Sequence, residues 1–142
     1  MAVNLRGPFL CSQAVLPSVM KRRWGKIICI SSDSGKKGWA TGAAYCDSKS
    51  GLLGLSGVLS EEVADAYGIN VNAICPGGVD TPMARKATSE AGMVVDREKL
   101  MSPSDIASVA VSWPATSRTP RTGRASTSLG CRRCGSPTLA HS

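Results

Sequence analysis

Lys26-Ile27-Ile28-Cys29-Ile30-Ser31-Ser32 is a short run of β-branched and apolar residues that turns polar only at its carboxyl end. A run of this length and composition predicts a strand buried on both faces of a parallel sheet. A second run, Ile69-Asn70-Val71-Asn72-Ala73-Ile74-Cys75, is stopped by Pro76-Gly77-Gly78 and predicts a second strand. Between them lie a Gly-, Ser- and Lys-rich loop over residues 33 to 42 and a long helical pattern over residues 43 to 67. In that pattern Leu52, Leu55, Leu59, Val63 and Ala66 fall near one face, and Gly68 is placed to end the helix. Upstream, Phe9, Leu10, Ala14, Val15, Val19 and Met20 recur at helical spacing after Pro8. They predict an amphipathic helix, kinked or loosened at Pro17 and ending before Trp24-Gly25. Helix, strand, helix, strand is half of a doubly wound α/β sheet.

Ser102-Pro103-Ser104-Asp105 starts one more helix, with serine at the N-cap, proline at the first position and an acid in the first turn. Ile106, Val109 and Ala110 continue it. From Trp113 onward neither periodicity survives, and the Ser, Thr, Arg, Pro and Gly that dominate are the composition of a segment without regular structure. The chain thus divides into a folded portion, residues 1 to 111, and a basic tail, residues 112 to 142.

At 142 residues the chain is one domain or less, and with only 4% aromatic residues its core must come from Val, Ile, Leu and Ala. The net charge of +7 loses its meaning once divided along the chain. Residues 1 to 112 hold 12 Lys/Arg against 10 Asp/Glu, and the other five charges are arginines in an acid-free tail. The basic balance therefore marks a tail, not a nucleic-acid-binding face. No apolar run reaches the roughly 18 residues of a membrane span, and the basic cluster Lys21-Arg22-Arg23 follows the first apolar stretch, the wrong order for a secretory signal. Cys11, Cys29, Cys46 and Cys75 lie in or beside apolar segments and read as reduced thiols in or near the core of a cytoplasmic protein. Cys131, Cys134 and His141 supply at most three metal ligands, and no metal site is expected.

The residues that carry chemistry are Ser32, Tyr45 thirteen positions later and Lys49 four beyond that. An offset of four places Tyr45 and Lys49 on one helix face. Ser32 ends its strand, and open α/β sheets bind ligands outside the carboxyl ends of their strands. A phenol is a poor base at neutral pH, but an adjacent ammonium favours its anion. Tyr45 can then give a proton to a carbonyl oxygen as hydride arrives, or take one in the reverse direction, while Ser32 hydrogen-bonds the same oxygen.

These residues resemble the short-chain dehydrogenase/reductase family. Tyr45-Cys46-Asp47-Ser48-Lys49 is similar to the family's YxxxK motif and Ile30-Ser31-Ser32 to its active-site serine strand. Asn4-Leu5-Arg6-Gly7-Pro8-Phe9 resembles the segment carrying its catalytic asparagine, and Asn70 to Met83 its PG motif. The likeness covers roughly residues 2 to 111 and is specific because order and spacing agree throughout. It implies a partial Rossmann-like doubly wound sheet, an NAD or NADP cofactor and a small carbonyl or alcohol substrate. Asn4, Ser32, Tyr45 and Lys49 would be catalytic, with Asn4 helping to hold a water that relays protons to Lys49. Tyr45, Lys49, Pro76, Gly77, the backbone of Val79 and the hydroxyl of Thr81 would contact the cofactor, Lys49 through the nicotinamide ribose. Residues 83 to 100 would be the substrate lid. The helices at residues 8 to 20 and 43 to 67 resemble those that pair across the family's dimer interface, which implies a homo-oligomer for an intact form. The body looks most like 3-oxoacyl-[acyl-carrier-protein] reductases and the related sugar or polyol dehydrogenases.

The family's opening strand, glycine-rich turn and helix, whose amides bind pyrophosphate, have no counterpart in the sequence, nor has its Asn-Asn-Ala-Gly strand. The expectation is a catalytic half with little activity alone and an open sheet edge. The alternative is a catalytically silent fragment that pairs with other subunits. The composition after Val111, where the family has a Thr-Gly turn and a last hydrophobic strand, is what a shifted reading frame near Ser112 would produce.

Overall fold

Branching at Cβ stiffens Ile27, Ile28 and Ile30 and suits them to a pleated surface. In the computed structural model, which describes residues 1–90, 92, 94–113 and 126–129, they form β1 (Lys26–Ile30). β1 runs parallel to β2 (Asn70–Pro76), with Lys26 opposite Asn70 and Ile30 opposite Ile74. Parallel neighbours need a long crossover, and α2 (Ala43–Tyr67) provides it. Gly68 ends that helix in the left-handed conformation, φ 68°, which costs glycine nothing. α1 (Gly7–Arg22), entered through one π-helical turn at Ala2–Arg6, precedes β1. α3 (Pro82–Glu90) and α4 (Pro103–Ser112) follow β2. Ser102 and Asp105 close the reciprocal capping box that starts α4.

The helices cover both faces of the sheet. On one face Val19 of α1 and Leu59 and Val63 of α2 pack with Ile69 and Val71. On the other, Ile74 packs with Met101 and with Ile106 of α4, joined by Ile28, Val79, Val109 and Trp113. Each such side chain taken fully from water stabilises the fold by about 1.5–3 kcal/mol. The result is part of a Rossmann-like, doubly wound parallel α/β fold, as the sequence leads one to expect.

Three features differ from the sequence reading. β2, not β1, is the strand buried throughout its second half, because β1 stands at the sheet edge in the order β1-β2-β3 and leaves Ile30 45% exposed. α1 runs past Pro17 as expected: the amide bond forfeited there is to the Gln13 carbonyl, and both residues are exposed, so water can serve in its place. Phe9, Leu10 and Val15 are 50%, 46% and 46% exposed, so the apolar stripe of α1 is only partly consumed by the core. Cys11 is exposed, whereas Cys29, Cys46 and Cys75 are buried, all four as free thiols.

A further element stands where the composition suggests no regular structure. β3 (Ser126–Leu129) pairs parallel to β2, Ala73 opposite Ser126 and Pro76 opposite Leu129. Backbone pairing needs no side-chain pattern, and β2 offers an unpaired edge that a passing extended segment satisfies. Residues 114 to 125 and 130 to 142 of the basic tail, with Cys131, Cys134 and His141, lie outside the described residues.

A long-range cap ties the sheet to α4. The Lys26 ammonium, at the start of β1, donates to the carbonyls of Ala110 at 2.9 Å, Val111 at 3.3 Å and Trp113 at 2.8 Å. These are the carbonyls a helix end leaves without partners, where the helix dipole also favours a cation. Replacing Lys26 by Met is expected to lower the unfolding free energy by about 1–2 kcal/mol. Urea denaturation of the two proteins checks this, and coincident midpoints would rule the cap out as a stabilising contact.

Candidate active site

Register decides where the candidate residues meet. Ile30 stands opposite Ile74, and the Ser31 N–H donates to the Ile74 carbonyl at 2.7 Å. Ser31-Ser32 and Pro76-Gly77 therefore leave the sheet at the same carboxyl edge, where open α/β sheets bind ligands.

α2 brings its first two turns to that edge. Tyr45 and Lys49 are both half-buried, with Lys49 Nζ 5.7 Å from the Tyr45 ring centroid. Nζ donates to the Ile30 carbonyl at 3.0 Å, so the last residue of β1 holds the ammonium beside the phenol. Burial pulls the Lys49 pKa below the usual lysine value, since desolvation penalises the charged form. The main chain is stitched as well: the Ser31 hydroxyl donates to the Lys49 carbonyl at 2.7 Å, and the Ser50 hydroxyl to the Gly35 carbonyl at 2.8 Å. Gly35 is pressed so close that a Cβ there would lie 2.8 Å from the Lys49 carbonyl oxygen.

Ser32 is buried at the same strand end, and its hydroxyl serves its own turn. It accepts the Ser34 N–H at 3.1 Å and donates to Asp33 Oδ1 at 3.2 Å. Asn4 sits in the π-helical turn and donates from Nδ2 to Ser48 Oγ at 3.2 Å; that hydroxyl donates in turn to the Tyr45 carbonyl at 2.7 Å. Asn4 thus reaches the Tyr45–Lys49 turn through the buried Ser48. Burial raises the pKa of Cys75, two residues before Gly77, and of Cys29, which disfavours their thiolate forms.

Beyond β2 the turn residues have structural partners of their own. Val79 makes an isolated parallel bridge with Met101. Thr81 Oγ1 accepts the Ala84 N–H at 3.2 Å and so caps α3, while its own O–H remains a donor. Asp80 takes Arg85 Nη1 on Oδ1 at 2.6 Å and Arg97 Nη2 on Oδ2 at 2.9 Å, which clamps both ends of the segment after β2 to its start.

Sequence reasoning missed this clamp, along with Ser31, Gly35 and Ser48. An offset of 17 residues between Asp80 and Arg97 has no periodic signature, and Ser31 is indistinguishable from Ser32 by composition. Adjacency to the strand end marks both serines as candidates, but only coordinates assign one to the helix and the other to its own turn.

A family model described as short chain dehydrogenase matches residues 1–92. The 3-oxoacyl-[acyl-carrier-protein] reductase of Haemophilus influenzae is 42% identical over 90 residues, 63% of this chain and 37% of that protein. An uncharacterised oxidoreductase of Bacillus subtilis is 42% identical over 88 residues, 62% of this chain and 34% of the relative. Among solved structures, ElxO with NADP bound superposes with a TM-score of 0.73 at 27% identity, covering 88% of this chain and 52% of that one. A Brucella melitensis 3-oxoacyl-[acyl-carrier protein] reductase with bound NAD gives 0.70 at 29% identity, covering 89% and 47%. The chain therefore spans about a third of the length of these curated relatives and about half of these solved chains.

The hydrogen bond from Arg97, with the Arg85 charge adding to it, lowers the Asp80 pKa below the ordinary aspartate value. The folded carboxyl then ionises at lower pH than the unfolded one, so the clamp contributes fully above about pH 4 and is lost as pH falls through the lower, folded value. Thermal melting between about pH 6 and pH 2 should show a shallower acid-side fall in Asp80→Asn than in the unaltered protein. Parallel curves would mean that the clamp carries no pH-dependent stability.

Proposed function

Since the chain belongs to the short-chain dehydrogenase family, which its residues 1–92 match, we propose that it supplies the catalytic portion of an NAD(P)-dependent oxidoreductase. The reaction moves a hydride between nicotinamide and a carbonyl/alcohol pair. The observation that carries this reading is the Tyr45–Lys49 pair, 5.7 Å from ring to ammonium, held at the carboxyl edge of the parallel sheet.

The described residues fit the nicotinamide end of such a cofactor. Lys49 is an ammonium with three donors, of which the Ile30 carbonyl takes one, leaving two for ribose hydroxyls. The Thr81 hydroxyl keeps a proton to give to a carboxamide, and Pro76, Gly77 and the Val79 backbone form the turn against which the ring would lie. Reduced nicotinamide, when bound, supplies the hydride.

The chain's own residues manage the proton. Tyr45 donates its phenolic proton to the carbonyl oxygen as the carbon gains hydride, giving the alcohol and a phenolate. The Lys49 ammonium stabilises that anion, and the reverse direction returns the proton to the phenolate. Ser32 orients the substrate oxygen by turning its hydroxyl proton from Asp33 toward the ligand. Asn4, through Ser48, fixes the turn that spaces Tyr45 from Lys49, and in this reading it would help hold the water that relays protons to Lys49. Residues 1 to 111 carry all of these groups. The 3-oxoacyl reductases among the relatives make acyl 3-ketones the first substrates to assay, and the three buried free thiols fit a reducing compartment such as the cytoplasm. Because the chain spans about half of its solved relatives and β1 keeps an open edge, turnover by these residues alone is expected to be slow.

Homo-oligomerisation fits the same reading. Phe9, Leu10 and Val15 of α1 and Val58 of α2 are exposed, and Phe9 also lines a groove of about 510 Å³ with Met1, Ala2, Leu5, Arg6 and Leu55. Exposed apolar surface of this kind favours association. This reading assigns that surface to a second copy of the chain; no helix among the described residues is long and apolar enough to cross a membrane.

Tyr45→Phe is expected to lower kcat/KM for carbonyl reduction by about 10²–10⁴-fold, the usual contribution of general acid–base catalysis. The absorbance of reduced nicotinamide follows the rate, and an undiminished rate would refute the role of Tyr45. For the interface, sedimentation velocity should show a concentration-dependent dimer that Phe9→Glu converts to monomer. A monomer at every concentration in both proteins would refute the self-association.

A further inference from the structure

Asp80 is a single carboxylate facing two guanidiniums, and this imbalance has a place to act. Behind it, α3 and the segment around Val95 enclose a groove of about 500 Å³, with Ala84 and Leu100 on its apolar wall. Arg85, Thr88, Ser89 and Arg97 supply its polar lining, and Gly78, in the turn after β2, closes one end. The arginines are 46% and 65% exposed in their side chains, against 26% for Asp80. Each guanidinium spends one N–H on Asp80 out of five. One positive charge and a set of forked donors are left over, and such forks match the geometry of carboxylate and phosphate oxygens.

We propose that this groove binds an anionic group of the substrate, a carboxylate or a phosphate, with the apolar wall taking the carbon chain that joins that group to the reacting carbonyl. The assignment rests on reading the neighbouring Tyr45–Lys49 pair as a carbonyl-reducing site, and it narrows the substrate class to acids. Asp80 acts as a positioning residue: it holds Arg85 on α3 and Arg97 across the groove, so that both face the ligand without having to be ordered when it binds. Pre-ordering of this kind lowers the cost of binding. Gly78 belongs to the turn that the cofactor reading places against the nicotinamide, which puts the groove next to the reacting end and not on a remote face.

Titration of the full chain with succinate, its neutral isostere succinamide and inorganic phosphate, followed by amide ¹H–¹⁵N spectra, tests this without cofactor or turnover. Saturable shifts confined to residues 78–100 are expected with succinate, and binding of succinamide should be at least tenfold weaker. Arg85→Gln combined with Arg97→Gln should weaken succinate by tenfold or more. Phosphate binding more tightly than succinate would assign the groove to a phosphate-bearing substrate, and the converse to a carboxylate. Equal binding of succinate and succinamide, or no saturable shift with either anion, would overturn the proposal on the unaltered protein, whether or not the double variant folds. Loss of hydride transfer would leave these spectra unchanged in meaning, so the groove and the Tyr45 chemistry fail separately.

Discussion

The Ser31 hydroxyl, donated across to the Lys49 main-chain carbonyl at 2.7 Å, joins the end of a strand to the first turns of a helix that begins 12 residues later. Most of what the site can do depends on that junction. An intrahelical carbonyl already has a partner along the helix, so a second donor on it fixes the helix in rotation and depth against the sheet. Lys49 Nζ on the Ile30 carbonyl and Ser50 on Gly35 repeat the attachment from either side. Each such bond contributes only about 1 kcal/mol net, but together they leave Tyr45 and Lys49 little freedom to swing away from the strand ends. A substitution that adds a Cβ at Gly35 would push on the same main-chain atoms that set the position of Lys49.

The sheet supplies the other half of the constraint. Parallel pairing in the Ile30–Ile74 register brings two carboxyl ends to one edge, and helices on both faces leave that edge as the place where polar groups can gather. β1 pays for this geometry with its outer side, where Ile30 is exposed. The apolar stripe of α1 is left partly exposed in the same way.

Much of this was legible in the amino-acid order. The strands, the long crossover helix, its glycine terminator and the serine-proline start of α4 follow from period, β-branching and capping chemistry, all of which act over a few residues. Tyr45 and Lys49 were legible for the same reason, since one helical turn relates them. Contacts between distant segments were not. Nothing in the sequence links Asn4 to Ser48, Lys26 to the end of α4, or Asp80 to Arg97, because each pairing is set by how the layers stack. β3 escaped as well: parallel backbone pairing can recruit a Ser-Thr-Ser-Leu segment that has no alternation to announce it. Pro17 was legible as an interruption that the helix survives, since a proline on a solvent-facing helix surface forfeits a bond that water can replace.

The proposal turns on Tyr45 and Ser32 closing on one substrate oxygen, with Lys49 beside the phenol. Ser32 is the sensitive member, because its hydroxyl is spent on Asp33 and Ser34 in the structure described. A crystal structure with reduced dinucleotide and a non-reacting carbonyl analogue tests the claim directly. The account predicts the analogue's oxygen within hydrogen-bonding distance of both Tyr45 Oη and Ser32 Oγ, with Lys49 Nζ beside the ring. An analogue bound elsewhere, or a Ser32 hydroxyl still turned to Asp33 with the oxygen out of reach of Tyr45, would contradict it.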